Sequence, residues 1–346
     1  MKRVRVAVIF GGKSREHDVS VLSAKAVLSH IDKNVAEAAA VMISRDGGIY
    51  IQRETAGICR QFVPAELCTD GHGIEIRPTD GGETFRPDCV FSVLHGEYGE
   101  DGRLQGMLDM AGVPYVGCGC TSSAVCMDKI YTKIIAEHCG IPTVPWLSFD
   151  RETAKDGQAE KEISEKLGFP VFIKPACGGS SFGASSVTRP EELCGAIANA
   201  LSEPGRVLAE RFIPARELEC AVLSSDGEII VSPPGEIIHS SGFYDYEAKY
   251  SRQDSRTEVP ADISDEIKAK VYNYSKILFR ALSCRQLSRI DFFLDKRTSE
   301  LYFNEVNTLP GFTDRSLYPR LIEETGTDFE GLLTSLIRGA LNDRDI

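Results

Sequence analysis

The chain has 346 residues, 42% apolar and 26% charged, which is ordinary for a globular enzyme of two or three domains at roughly 100–200 residues each. Lys and Arg number 39 against 51 Asp and Glu, a net charge of −12. That excludes a general nucleic-acid or membrane-surface binder, which needs a net basic face; small anionic ligands need only a few local cations. No apolar run approaches the roughly 18 residues of a spanning helix. The opening MKRVRVAVIFGG has too short an apolar run, and no small-residue cleavage site, for a signal peptide. It is expected to be a buried first strand. The eleven cysteines are odd in number and follow no secretion signal, so free thiols in a reducing cytoplasm are expected. Cys118, Cys120 and Cys126 lack the second pair or histidine that structural zinc requires.

In chain order, Val4–Phe10 reads as a strand, Gly11-Gly12 as a turn and Asp18–Ile31 as a helix. Asp88–Leu94 is a second strand, Gly102–Met110 a helix and Val113–Val116 a short strand. This βαβ rhythm predicts a doubly wound parallel sheet with ligands at the carboxyl ends of its strands. The pattern then changes. Ser122–Cys139 reads as one amphipathic helix and Thr153–Leu167 as another. Pro170–Lys174 is a strand leading into the loop ACGGSSFGASSV. Glu191–Ser202 is a helix and Val207–Arg211 a strand. Longer strands follow at Leu218–Leu223, Glu228–Pro233 and Arg289–Leu294, the last pairing with Glu300–Glu305. The helix Asp265–Leu282 lies among them, and Phe329–Leu341 closes the chain. The polar, tyrosine-rich stretch from Glu236 to Pro260 reads as a functional lid or an omega loop.

Four segments carry chemistry. In SRIDFFLDKRTSELYFNEVNTLPGFT, Asp291 stands on one strand, and Glu305 and Asn307 share a face of the next. Oxygen donors converging from neighbouring strands suit a hard cation, Mg²⁺ or Mn²⁺; an exposed edge face is the plainer alternative. Arg289 shares the face of Asp291, where a fixed guanidinium suits an anionic transition state. The small-residue loop after Lys174 can close backbone N–H groups over phosphates, although it is not a P-loop and also suits a hairpin tip. In GGKSREHDVS, Glu16 stands at a helix start. There it either complements the helix dipole or binds a substrate ammonium. HGEYGEDGRLQG sets His95 among three acids in a glycine-rich loop.

These segments occur in a particular order with SSAVCMDK, FYDYEAKY and NEVNTLPGFTDRSLYP, from about Val4 to Leu341. In that order and wording the sequence resembles the D-alanine–D-alanine ligases of the ATP-grasp superfamily, including the vancomycin-resistance D-alanine–D-X branch. The resemblance implies an α/β and α+β ATP-grasp fold of three domains. These are a doubly wound parallel-sheet domain at 1–120, a small central α+β domain at 121–211, and a C-terminal α+β domain at 212–346. The last has a large, mainly antiparallel sheet and a lid at about 236–260. The implied reaction joins two D-alanines through a D-alanyl phosphate, giving ADP, phosphate and the dipeptide used in peptidoglycan synthesis. Two Mg²⁺ ions, with Mn²⁺ as a substitute, and several lysines would let ATP approach a carboxylate.

By the same resemblance Glu16 would bind the first ammonium and join Ser180 and Tyr250 in a carboxylate–serine–tyrosine link. His95 would lie beside the first substrate, with Glu100 supporting it. Lys129, Lys174 and Lys249 would touch ATP phosphates, and Ser180 belongs to the loop over them. Glu210 and Glu217 would serve adenine and ribose. Asp291, Glu305 and Asn307 would hold the metals. Arg289 and the Gly311 N–H would form the oxyanion hole, and Ser316, beside Leu317, would bind the second carboxylate. Partners are D-alanine and ATP, with no nucleic acid or membrane, in a cytoplasmic homodimer formed through the N-terminal domain.

Two departures bear on the second substrate. Gly178 stands where many of these ligases have an acid before Gly-Ser, and this, like VGCGCTSSAVCMDK, resembles the resistance branch. Tyr250 and Leu317 instead resemble the dipeptide-forming enzymes, since D-lactate ligases carry a lid histidine that would repel an incoming ammonium. D-alanine is the expected acceptor, D-serine the alternative, and D-lactate is disfavoured.

Overall fold

The computed structural model describes all residues except 1–2, 56–57, 60, 70–72, 156, 180–181, 203–204, 226, 240–254 and 343–346. Its first strand, β1 (Val4–Gly11), is buried on both faces, as a central strand must be and as its unbroken apolar run foretells. It pairs in parallel with β2 (Ala36–Ile43) and with β7 (Cys89–Ser92). Helix α1 (His17–His30) lays Ala24 and Val27 against Val6 and Val8. Helix α2 (Arg103–Ala111) brings Leu108 and Ala111 to Ala7 and Ile9 on the other face. Helices on both faces place Gly11 and the segment after β7 at one edge, as expected.

Two expectations need correction here. The sheet is parallel only at this centre. Beyond β2 it continues antiparallel through β3 (Ile49–Thr55), β5 (Val63–Thr69) and β6 (Ile74–Pro78), with β4 (Ile58–Cys59) on β3. The connection at 44–48 is too short for a parallel crossover, which needs a dozen or more residues. Val113–Val116 is not a strand. It makes one parallel bridge, Tyr115 to Val90, and Pro114 in its middle has no N–H to extend a ladder.

The expected Ser122–Cys139 helix is two helices, α3 (Cys120–Met127) and α4 (Lys129–His138). Asp128 between them is extended, and its carboxylate accepts the Ile130 N–H at 2.9 Å, a helix N-cap. The main chain there bridges to Cys177, and the Lys129 N–H donates to the Ala176 carbonyl at 2.9 Å. The break thus lays the start of α4 on the glycine/serine loop. The Thr153–Leu167 helix is shorter than expected, α5 (Gln158–Lys166), because the Asp150 carboxylate turns the chain by accepting the N–H groups of Glu152 and Thr153. A four-stranded sheet in the order β10-β9-β11-β8 joins β8 (Trp146–Phe149), β9 (Val171–Pro175), β10 (Ser185–Val187) and β11 (Val207–Arg211). Helix α5 and α6 (Leu193–Ala200) share its core.

The third sheet runs β15-β14-β12-β16-β17, with β13 also on β12. Its strands are β12 (Ala215–Ser225), β13 (Glu228–Val231), β14 (Gly235–His239), β15 (Ser255–Glu258), β16 (Leu287–Asp295) and β17 (Leu301–Asn307). The expected pairing of Arg289–Leu294 with Glu300–Glu305 is the β16–β17 ladder. Helix α7 (Asp265–Ala281) covers one face. The two ends of the expected lid are not loop but the paired strands β14 and β15; the residues between them lie outside the described set. Helices α8 (Leu317–Glu323) and α9 (Phe329–Asn342) do not complete a separate core. Leu321, Leu332, Leu333 and Leu336 bury with Val6, Val8 and Phe91 of the first sheet.

Phe312 centres that shared core. Its ring is fully buried and lies 5.6 Å from Phe91, 5.8 Å from Tyr318 and 6.3 Å from Phe329. Removing such a ring loses transfer energy and leaves a cavity. Phe312→Ala is expected to cost about 3–5 kcal/mol in urea unfolding; a loss below about 1 kcal/mol would mean the surrounding rings collapse onto the gap.

Candidate active site

The three sheets converge on a cavity of about 710 Å³. Its lining includes Glu16, His95, Glu100, Lys129, Lys174, Glu210, Glu217, Arg289, Glu305, Asn307 and Gly311.

The cationic wall starts from strand register. Lys174 on β9 pairs with Leu208, and Phe172 with Glu210, so Lys174 and Glu210 share a sheet face as diagonal neighbours. The Lys174 Nζ meets Glu210 Oε2 at 2.7 Å. Lys133, fully buried on α4, meets Glu210 Oε1 at 2.6 Å. One turn earlier on the same helix, Lys129 reaches Glu305 at 3.3 Å and the Gly178 carbonyl at 2.8 Å. Burial alone would raise the Glu210 carboxyl, but the two ammoniums outweigh it and hold it near 2. Burial lowers Lys174; Glu210 opposes that shift, while Lys133 and Lys129 add to it. One carboxylate serves two ammoniums, with a third close by. The wall therefore carries surplus positive charge where a polyanion could sit.

The opposite wall is a row of acids. Glu219 pairs with Asp291 across β12–β16, and Asp291 with Glu305 across β16–β17. Like charges directly opposite one another are destabilising, and Glu219 and Asp291 are buried. Arg289 answers two of them. Its Nε and Nη2 donate to Asp291 at 2.8 and 2.7 Å, and its Nε lies 3.0 Å from Glu219. The compensation is incomplete. Burial, with Asp291, Glu217 and Glu305 nearby, raises Glu219 to about 8 against the pull of Arg289. Burial likewise raises Asp291 although Arg289 opposes it. Glu305 goes the other way, because Lys129, Lys174 and Arg289 overcome its burial. The Asn307 amide donates to Asp291 at 3.0 Å, which leaves its carbonyl oxygen to offer. Among the described residues no three His, Cys, Asp or Glu side chains form a ready-made metal cage. Two carboxylates, Asp291 raised and Glu305 lowered from the usual range, and an amide oxygen still fit a hard divalent cation that keeps part of its water shell.

At the third edge, serines fix the loops. Ser20 accepts the Gly11 N–H at 2.8 Å and donates to the Val93 carbonyl at 2.5 Å. Ser14 accepts the Glu16 N–H at 3.3 Å and donates to the His95 carbonyl at 2.7 Å. His95 Nδ1 lies 3.3 Å from Glu100, and its Nε2 lies 2.9 Å from the Ser23 hydroxyl. Burial raises Glu100, which His95 opposes and Glu16 reinforces. The Glu16 carboxylate packs against two glycines. A Cβ on Gly96 would fall 2.5 Å from Oε2, and one on Gly179 3.0 Å from it. Only residues without side chains let the β7 loop and the glycine/serine loop approach that carboxylate from two sides. Beside it, the Arg15 guanidinium stacks 3.3 Å from the Phe182 ring centroid, a cation–π contact across the same junction.

The structure thus gathers Glu16, His95, Glu100, Lys129, Lys174, Glu210, Glu217, Arg289, Glu305, Asn307 and Gly311 around one cavity, with Asp291 behind Arg289. Ser180, Lys249 and Tyr250 lie outside the described residues. Leu317 departs from expectation. It is 7% exposed and packs in the shared core with Phe312 and Tyr318, not on the cavity wall. It opens α8, and that helix turns its apolar face inward. Ser316 accepts the Thr313 N–H at 3.0 Å and sits where a Cβ on Gly311 would fall 2.7 Å from its Oγ. The sequence reading missed Lys133, Glu219, Ser14 and Ser23. The spacing of Lys129 and Lys133 and the alternation Glu217-Leu218-Glu219 were visible signals, but only register shows what these side chains meet.

Removing one partner of a buried pair leaves charge uncompensated. Lys133→Met is expected to destabilise the chain by about 3 kcal/mol in urea unfolding, with Lys133→Met/Glu210→Leu recovering part of the loss. Equal stability of wild type and single variant would mean Lys174 alone satisfies Glu210.

The sequence matches two family models, the D-ala D-ala ligase N-terminus over residues 5–118 and the D-ala D-ala ligase C-terminus over residues 135–338. A curated relative named D-alanine–D-alanine ligase, from Acetivibrio thermocellus, is 41% identical over 96% of this chain and 94% of its own. Among solved structures, the VanG D-Ala:D-Ser ligase from Enterococcus faecalis superposes with a TM-score of 0.86 at 36% identity, covering 98% of this chain and 100% of that one. The D-alanine-D-alanine ligase from Coxiella burnetii gives 0.86 at 29% identity, over 99% and 95%. Matched nearly end to end in sequence and fold, the chain belongs to the D-alanine–D-alanine ligase family.

Proposed function

We infer that this chain is a D-alanine–D-alanine ligase, an ATP-dependent carboxylate–amine ligase. The observation that carries the reading is the division of one cavity into three poles. Lys129 and Lys174 face an acid row bridged by Arg289, and Glu16 stands at the third edge. ATP phosphates suit the lysine wall. Glu16 pairs with the ammonium of the first D-alanine, turning its carboxylate toward the γ-phosphate. That carboxylate attacks phosphorus, giving D-alanyl phosphate and ADP. The amine of the second D-alanine then attacks the acyl carbon, and phosphate leaves from the tetrahedral intermediate with the dipeptide formed. Arg289, fixed by its fork on Asp291, and the Gly311 N–H donate to the developing oxyanion. Asp291, Glu305 and Asn307 would hold Mg²⁺, or Mn²⁺ in its place, which would supply positive charge to the transferring phosphoryl group.

On this reading the chain divides at 1–120, 121–211 and 212–346. Ser316 takes the second carboxylate, and Ser180, Lys249 and Tyr250 complete the closed site. A peptidoglycan precursor is the product. No helix of the described residues is long and apolar enough to cross a membrane, and the described cysteines are free thiols, which suits a cytoplasmic enzyme. A homodimer through the N-terminal unit is the assembly this reading implies. Gly178 and the likeness to VanG favour D-serine as the second reading for the acceptor, against the D-alanine ligases among the curated relatives.

The deciding experiment measures phosphate release with ATP, Mg²⁺ and D-alanine, with and without D-serine, and identifies the products by mass. D-alanyl-D-alanine should dominate; mostly D-alanyl-D-serine would move the acceptor assignment to the second reading. Arg289→Lys keeps the charge and loses the fork, so kcat should fall by about 100-fold or more while the KM for ATP changes little. Divalent cation binding should tighten as pH rises toward about 8, because burial beside Asp291 and Glu305 raises Glu219 to about 8, so it holds a proton in the free site that a neighbouring cation would displace. Mn²⁺ titration calorimetry in two buffers reads that proton release; no release would place the cation away from these acids.

A further inference from the structure

Ser23 lies fully buried on α1, seven residues after Glu16, and has two partners on separate parts of the fold. Its hydroxyl accepts the Phe312 N–H at 3.3 Å and lies 2.9 Å from His95 Nε2. His95, 4% exposed, lies 3.3 Å through Nδ1 from Glu100. One assignment of protons satisfies the chain throughout. Phe312 N–H donates to Ser23, Ser23 O–H donates to His95 Nε2, and His95 Nδ1–H donates to Glu100. The opposite tautomer would spend both Ser23 contacts on acceptance and leave its proton unused, a cost in a buried site. Phe312 is the next residue after Gly311, which lines the cavity, and its ring is anchored in the shared core.

We propose that Ser23 is a positioning residue for the oxyanion hole. It fixes the 310–313 segment against the loop that carries His95, and so sets where the Gly311 N–H points. This rests on the ligase reading above. A hydrogen-bond donor counts toward catalysis only when it meets the position the oxyanion will take, so a small swing of this segment weakens turnover while leaving ATP binding alone. The same hydroxyl fixes the orientation of the His95 ring, leaving Glu16 to meet the substrate ammonium.

The test compares Ser23→Ala, Ser23→Cys and Ser23→Thr with wild type. Each is measured for thermal midpoint, kcat, KM for ATP, and amide hydrogen exchange of the peptide spanning 310–313. Ala and Cys are expected to lower kcat by about tenfold or more with the KM for ATP within about twofold, and to speed exchange at Phe312. Thr keeps the hydroxyl and should hold kcat within about threefold. Wild-type kcat in either Ala or Cys overturns the proposal, as does Thr falling as far as Ala at an unchanged thermal midpoint. So does unchanged exchange at Phe312, a readout that needs no turnover. Failure of the wild-type enzyme to release phosphate with D-alanine would count against the ligase reading instead, and the exchange result would still decide the Ser23–Phe312 contact.

Discussion

Like charges forced together on three adjacent strands are the constraint around which this site is arranged. Sheet register sets Glu219, Asp291 and Glu305 side by side, and burial denies water to Glu219 and Asp291. Left alone, such a row would oppose folding of the very sheet that creates it. The chain answers with Arg289 between Glu219 and Asp291, and with Lys129 on Glu305. The answer is partial, as the raised Glu219 and Asp291 carboxyls record. What remains is a demand for positive charge, next to a lysine wall with positive charge to spare. The two walls meet each other only in part, through Lys129 and Glu305 at 3.3 Å, and both suit a metal–polyanion pair. That is a physical reason for such residues to sit in a cavity instead of closing into a structural ion-pair network.

The helix break at Asp128 belongs to the same arrangement. A continuous helix through that point would direct Lys129 by helical periodicity alone. Instead Asp128 leaves the helix, caps α4 and bridges to Cys177, so Lys129 is placed by the strand-like contact with the glycine/serine loop. Lys133 then follows one turn on and is carried inward to Glu210. Its burial is tolerable because the Glu210 carboxylate is already drawn toward Lys174. One short extended residue therefore positions two lysines with different tasks, one facing the cavity and one fixing the carboxylate beneath it.

Much of this was legible in the sequence, unevenly and for physical reasons. β1 read correctly because a strand buried on both faces must be apolar throughout, and the β16–β17 ladder because its two runs flank a short turn. The oxygen-donor set Asp291, Glu305 and Asn307 followed from alternation along neighbouring strands. Glu219 did not, because its place beside Asp291 depends on the β12–β16 register, and register is a tertiary property. The single helix expected over 122–139 failed because helical periodicity survives across Asp128; the capping carboxylate and the pairing with Cys177 decide the break. The antiparallel extension of the first sheet was missed where the strands are only half buried and their apolar pattern is weak. Leu317 was read from a resemblance at one position, whereas burial of the α8 face turns it into the core.

The sharing of one core between the first sheet and the last two helices bears on how the site can move. Phe312, Tyr318, Leu321 and Leu332 pack with Val6, Val8 and Phe91, and the Tyr318 hydroxyl donates to the Val222 carbonyl at 3.0 Å. The segment bearing Gly311 and Ser316 is therefore bound to the N-terminal sheet as firmly as to its own strands. The four-stranded sheet has its own core, built with α5 and α6. Its glycine/serine loop meets the N-terminal edge through small, separable contacts, Gly179 against Glu16 and Phe182 under Arg15. Motion that admits nucleotide would disrupt far less apolar contact at that second junction than at the first. The acid row, Arg289 and the Gly311 segment then form a fixed half of the site. On the proposed ligase reading the four-stranded sheet with Lys174 would be the half able to approach it, while Arg289 and the Gly311 segment would keep their alignment.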